Sequence, residues 1–405
     1  MRLGTYVVDR RPLRIPAFRR LWTASAVTAV GGSFSLIAVP TQLFTLSGSS
    51  ASVGAAAAVS MGALVVSALW SGVLADATDR RRLLLAGNAG LGLTYLGLWL
   101  NIALGLDSVA VLLVLVAVQG VGFGATMTTM GATVPRVVPG DLLVAANSLS
   151  ALTRYTGAVV GPLLAGVLIP IVGLGALYLL DALALAAVLR AVAALPAMPA
   201  PPDARPRVGD GLRYLLGQRV LVAILGVDLA AMVFALPFAL LPELAERVYG
   251  GPAGGGTALG LLFAAYPAGV LLAGLLSGTF GRARRHGALM ASAAIAWGGC
   301  VLLLGAAPRL WMALLALAAG GAVNFVLSTF RNAISQAHTD DRVRGRVQGT
   351  LTVVLFGGPQ LANVVHGFGG AVLGPRAAIA IGGALTVLTV ALLVRAIPEL
   401  WHYHS

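Results

Sequence analysis

The sequence predicts an all-α integral membrane protein, with about twelve transmembrane helices in two pseudo-symmetric six-helix bundles. Three observations predict it. Hydrophobic residues make up 58% of the 405-residue chain and charged residues only 10%, which leaves too little polar surface for a water-soluble globule. The apolar residues come in continuous runs of roughly 20, the length that crosses a bilayer as a helix. Arginines gather on alternate connections between those runs, the pattern that sets orientation in a membrane. A β-barrel is excluded, because its strands of about ten residues would alternate apolar and polar positions.

Spans begin near Leu21, Ser52, Leu83, Val109, Leu142, Leu174, Val220, Thr257, Gly287, Leu310, Val347 and Arg376. The first run, Leu21 to Leu46, is far longer than the core of a cleavable signal peptide and is followed by further spans. No lysine occurs, so all 27 basic residues are arginine. With the first span running from inside to outside, one set of connections carries Arg2, Arg10, Arg11, Arg14, Arg19, Arg20, Arg80 to Arg82, Arg136, Arg205, Arg207, Arg213, Arg219, Arg282, Arg284, Arg285, Arg342, Arg344, Arg346 and Arg395. The other set keeps little beyond Arg247, Arg309 and Arg376. Both termini are therefore expected in the cytoplasm. The net charge of +13 is spread over many short loops beside spans, so topology accounts for it and nucleic acid is not an expected partner.

The chain breaks near its middle, where Pro196, Pro199, Pro201, Pro202 and Pro206 stop the sixth span. The expected organisation is a cytoplasmic segment 1–19, an N-terminal bundle 20–196, a cytoplasmic linker 197–218, a C-terminal bundle 219–397 and a cytoplasmic tail 398–405. Within the linker, Gly211 to Leu216 suits a short amphipathic helix at the membrane surface. The halves resemble each other at an offset of about 200 residues, as internal transporter repeats do. Arg19-Arg20-Leu21 recurs as Gln218-Arg219-Val220, Ser71-Gly72 as Ser277-Gly278, and Gly161-Pro162 as Gly358-Pro359.

Cofactor and metal chemistry find no foothold. Cys300 stands alone in an apolar run, where it packs as a small side chain. His286, His338, His366, His402 and His404 lack metal-ligand spacing. The Gly250 to Gly256 stretch lacks the lysine and hydroxyl of a nucleotide-binding loop. The expectation is a transporter without cofactor, not an enzyme and not an ATP-driven pump.

The most informative segment is the charged turn between the second and third runs, Gly72-Val73-Leu74-Ala75-Asp76-Ala77-Thr78-Asp79-Arg80-Arg81-Arg82. Gly72 permits close helix approach, and Asp76 is suited to the positive N-terminus of a partner helix. This turn resembles the loop signature of the major facilitator superfamily: a glycine, a leucine, an aspartate and a basic pair. Further similarity lies in Phe18-Arg19-Arg20-Leu21-Trp22, Ala146-Asn147-Ser148-Leu149, Gly211-Leu212-Arg213-Tyr214-Leu215 and Arg344-Gly345-Arg346-Val347, and it points to the branch of enterobactin exporters and macrolide efflux proteins called transmembrane secretion effectors. Ala77 stands where that signature usually has a basic residue, and Asp79 where it usually has glycine. The resemblance implies that the turn is a gating latch whose partner is the start of the eleventh span, here bearing Arg344 and Arg346.

On the fifth span, Gly157, Gly161, Pro162 and Gly166 resemble the superfamily's antiporter motif, in which a glycine-proline pair serves as a pivot. Another expected piece is missing: the residue four before Gly120 is Val116, where many proton-driven relatives carry arginine. Coupling must then run elsewhere. Charges within the hydrocarbon are costly and become functional candidates by default. Asp228 lies about half a span into the seventh run, with Arg154 at similar depth on the fifth as its partner or as the receptor of an anionic substrate. Asp181 on the sixth span is a second carboxylate, able to pair with Arg154, and His366 on the eleventh is a further proton candidate. A fixed structural pair is the alternative role for each carboxylate.

Together these readings give a multi-pass, monomeric protein of the bacterial inner (plasma) membrane. Its expected partners are a small amphipathic substrate, drug-like or siderophore, protons as coupling ion, and the lipid bilayer. Movement of lipid between leaflets is the alternative within the same fold. A transport-silent sensor or scaffold is the alternative outside it.

Overall fold

The computed structural model describes residues 10–31, 34–139, 142–197, 209–252, 256–275, 285–337 and 344–403. Most of the proline-rich linker, the Ser277-Gly278 repeat and its Arg282 and Arg284 lie outside the described residues. Fifteen α-helical segments follow in order: α1 (Pro16–Gly31), α2 (Phe34–Ser47), α3 (Ser50–Ala77), α4 (Arg80–Ala103), α5 (Val109–Val137), α6 (Leu143–Ala193), α7 (Gly209–Gly217), α8 (Arg219–Val233), α9 (Leu241–Glu243), α10 (Gly256–Leu275), α11 (His286–Ala306), α12 (Leu310–Ala337), α13 (Arg344–Leu373), α14 (Pro375–Ala396) and α15 (Pro398–Trp401). Among the described residues nine helical stretches are long and apolar enough to cross a membrane by themselves. The expected spans are all found as helices. Span one comprises α1 and α2, α6 carries spans five and six, span seven runs from α8 to Val248, and α13 supplies span eleven.

Local sequence explains the departures from straight helices. Within α6 the non-helical residue is Gly173, at φ 76 and ψ 169, a backbone region that L-residues avoid and glycine accepts. It marks the turn between the fifth and sixth spans. The seventh span breaks after α8: Pro237 cannot donate to Val233, and it disfavours helix at the residue before it. A 3₁₀ turn (Phe238–Leu240), the single turn α9 and a π turn (Leu244–Val248) complete that span.

The chain forms two compact units, 1–42 with 59–206, and 43–58 with 207–405. The tip joining α2 to α3 therefore groups with the C-terminal part of the sequence, which the repeat pattern does not reveal. In unit 1, Leu21, Leu84, Val188, Val192 and Leu195 form one buried cluster joining α1, α4 and α6. Lipid is as apolar as leucine, so helices in it associate through close packing, which small residues permit. In unit 1 a Cβ added at Gly157 would lie 2.2 Å from the Ala29 carbonyl oxygen, so α6 lies directly on the α1 backbone. In unit 2 a Cβ at Gly269 would meet Ala318 O at 1.8 Å and one at Gly321 would meet Tyr266 O at 2.0 Å, which locks α10 to α12 from both sides.

Candidate functional site

In unit 1, Asp181 sits seven residues past Leu174 and twelve before Ala193. At about 1.5 Å per residue this places it within the hydrocarbon. It is fully buried, at 0% exposure. Oδ2 accepts from the Ser35 backbone N–H at 2.7 Å and from the Ser35 hydroxyl, and the Phe34 amide also donates to the carboxylate. Phe34 and Ser35 begin α2, so the carboxylate is held by main-chain donors as an anion is at a helix start. Oδ1 is buried without a hydrogen-bond partner, and no cation among the described residues meets Asp181. Around it are other neutral groups: the Tyr178 hydroxyl donates to Gln42 Oε1 at 2.8 Å, and Tyr95, hydrogen-bonded to Gln119, faces Asp181 from α4.

Unit 2 treats its carboxylate differently. Asp228, on α8 and 3% exposed, accepts from Arg331 Nη1 at 2.8 Å. Arg331, on α12, turns its Nε and Nη2 to Asn332 Oδ1, each at 3.2 Å. Opposite charges at this distance in a buried site compensate each other, and removing one partner strands the other charge. Among the described residues the cation that meets Asp228 is Arg331. Arg154 is helical in α6, but its side chain lies outside the described residues.

His366 is buried, with Nε2 3.1 Å from the Phe234 carbonyl oxygen. That carbonyl belongs to the end of α8, where the break leaves acceptors without helical donors. A second side chain serves the same end: Trp297 Nε1 donates to Ala231 O at 3.0 Å. In a bilayer interior each orphaned carbonyl costs several kcal/mol. His366 thus joins a set that stabilises a broken helix end.

The charged turn is helical to Ala77, and Asp79 caps α4, its Oδ1 accepting from the Arg81 N–H at 2.9 Å. Arg81 donates to Ala193 O, and Arg20 Nη1 to Ala194 O at 3.3 Å. Both cations thus sit at the C-terminal end of α6, where the helix dipole and free carbonyls attract them. Arg80 is half-buried and Arg82 exposed along α4. The side chains of Gly72, Asp76, Arg344 and Arg346 fall outside the described residues, so the latch contact expected between them is not described. On the fifth span, Gly157, Gly161, Pro162 and Gly166 are all buried in α6, with Gly157 the point of closest approach to α1.

Besides Arg331, a second buried charge escaped the sequence reading. Glu243, 4% exposed in α9, accepts from the Ser50 hydroxyl and pairs with Arg247 Nη1 at 2.8 Å. Arg247 also donates from Nη2 to Gly48 O at 2.7 Å and lies 5.1 Å over the Phe44 ring. Glu243 and Arg331 are both charges inside apolar runs, and the rule that marked Asp228 would have marked them too.

All-helical units of this kind, rich in helices long and apolar enough to cross a bilayer, make this a multi-pass membrane protein. Solved structures with the same fold include the nucleoside transporter NupG, at TM-score 0.75 and 14% identity over 96% of this chain and 99% of that one. A bacterial homologue of the iron transporter ferroportin matches at TM-score 0.72 and 16% identity, with 96% and 99% covered. The family model for transmembrane secretion effectors matches residues 9–402, and the chain belongs to that family of the major facilitator superfamily. Among curated relatives, the enterobactin exporter EntS of Escherichia coli strain K12 is 28% identical over 396 residues, 96% of this chain and 94% of the relative. EntS of Shigella boydii serotype 18 is 29% identical over 386 residues, 94% and 91%.

Proposed function

We propose that this transporter is a proton-coupled exporter of small amphipathic, siderophore-like molecules in the bacterial inner membrane, with both termini cytoplasmic and Asp181 as the proton carrier. Export and cargo rest on the relatives named enterobactin exporters, which match along nearly their whole length. The carrier rests on a single observation: Asp181 is fully buried and has one oxygen without a partner, while Asp228 has an arginine. A carboxylate facing only neutral donors changes the local charge when it binds or loses a proton, whereas one paired with arginine cannot be neutralised without stranding the guanidinium. The two units supply the bodies for alternating access. The Gly157 to Gly166 segment is the pivot, and the charged turn with Arg344 and Arg346 the latch.

Inverted membrane vesicles carrying the protein test this reading, with enterobactin and the cationic dye ethidium as probes. A proton gradient, acid inside, drives accumulation of at least one probe, and collapsing the gradient with an uncoupler abolishes it. Accumulation of neither probe, or accumulation indifferent to the uncoupler, contradicts the proposal.

A further inference from the structure

The helix that holds Asp181 belongs to both units. Phe34 to Gln42 of α2 lie in unit 1, and Leu43 to Ser47, with the following tip up to Ala58, lie in unit 2. Pro40 stands inside the helix just before that boundary, where its missing N–H and ring clash weaken the i to i−4 ladder and permit a bend. At one end, Ser35 grips Asp181 with its amide and hydroxyl. At the other, the tip is fastened within unit 2 by several independent bonds. Glu243 takes the Ser50 hydroxyl, Arg247 takes the Gly48 carbonyl and covers Phe44. The backbones of α3 and α13 also touch there: a Cβ at Gly367 would lie 2.6 Å from Gly54 Cα, and one at Gly54 3.2 Å from Gly367 Cα. Gly48, at φ +66, makes the turn that presents its carbonyl.

We propose that α2 is the coupling element, with Ser35 the positioning residue that governs how readily Asp181 gives up its proton and the Glu243–Arg247 clasp the device that ties Ser35 to unit 2. The inference rests on Asp181 being the carrier. Hydrogen bonds donated to a carboxylate favour its ionised form. While the clasp holds the tip, Ser35 donates both bonds and Asp181 sheds its proton. A movement of unit 2 that draws α2 along withdraws those donors, and the carboxylate is left among Tyr178 from its own helix, whose hydroxyl is engaged by Gln42, and Tyr95 from α4. No charged side chain among the described residues compensates, so the proton returns. Substrate-driven rearrangement of unit 2 is thereby converted into proton binding in unit 1 through a single helix.

The test is the pH dependence of gradient-driven transport in proteoliposomes of the full chain. Ser35→Ala removes one of the donors and moves the midpoint of the profile to higher pH, by about one unit or tenfold in proton concentration. Ser35→Thr, which keeps a hydroxyl, restores it. The matched control is Ser67→Ala, because Ser67 donates 2.6 Å to Val121 O elsewhere in unit 1, and its loss leaves the midpoint in place. Glu243→Gln, in the other unit, shifts the midpoint in the same direction as Ser35→Ala and adds nothing further when combined with it. In an Asp181→Asn background neither change alters the pH dependence. Midpoints unmoved in both Ser35→Ala and Glu243→Gln overturn the inference. If Asp181→Asn itself leaves proton-driven transport intact, the carrier assignment has failed instead, which separates the two failures. Glu243→Gln lies far along the chain from Asp181, so the proposal stays testable if Ser35→Ala folds poorly.

Discussion

Asp181 in unit 1 and Asp228 in unit 2 are both buried carboxylates within membrane-spanning helices, and the neighbours of each are opposite in kind. Asp228 faces a guanidinium at 2.8 Å. Asp181 takes the amide and hydroxyl of Ser35 on Oδ2 and the Phe34 amide beside them, while Oδ1 has no hydrogen-bond partner among the described residues. The ion pair fixes charge and geometry together: taking away either partner strands the other in a medium that cannot solvate it. The neutral nest imposes no such requirement, since a protonated Asp181 leaves no opposite charge behind. The two carboxylates share burial within a span, and what differs between them is the set of neighbouring donors.

That contrast can be broken or sharpened by substitution. The largest effect is expected at the ion pair. Asp228→Asn or Arg331→Gln alone should destabilise the detergent-solubilised protein by about 3–5 kcal/mol, read from thermal unfolding, and the two together should recover most of the loss. An additive double variant would mean that the charges do not act as a pair. Next comes His366→Ala, which orphans the Phe234 carbonyl and should cost about 1–3 kcal/mol while leaving the pH profile of transport where it was. A moved profile would make His366 part of the proton path. Asp79→Ala removes the cap of α4 and should lower stability by about 1 kcal/mol, without changing proton coupling. The smallest change is expected from Asp181→Asn: a near-isosteric amide that still accepts from Ser35 should leave stability within about 1 kcal/mol of the native chain, since no charge is stranded. A loss as large as that of Asp228→Asn would place Asp181 in the structural class as well.

Much of the fold was legible in the sequence because a bilayer leaves few choices: an apolar run of span length must be a helix. The breaks were partly legible. Pro237 and Gly173 carry the turn chemistry at which span seven breaks and spans five and six meet, whereas the grouping of residues 43–58 with unit 2 goes with contacts such as Gly54 to Gly367, a pairing across more than three hundred residues with no local signature. At the site, the rule that charges in hydrocarbon matter picked out Asp181, Asp228 and His366, and it would equally have picked out Glu243 and Arg331. What it could not supply was the partners. Which of two aspartates meets an arginine depends on how α8 and α12 face each other, and spacing along the chain does not encode it. Ser35 was invisible for a related reason, since one serine near a span looks like any other until its amide is seen to point at a carboxylate.

Parallel measurements of substrate-driven proton flux in proteoliposomes give the most direct test of the central claim. Three proteins are compared with enterobactin or whichever vesicle probe is transported: the native chain, Asp181→Asn, and the neutral pair Asp228→Asn with Arg331→Gln. The expected result is proton flux lost in Asp181→Asn and kept in the neutral pair. Flux retained in Asp181→Asn, or lost from a folded neutral-pair variant alone, would contradict it.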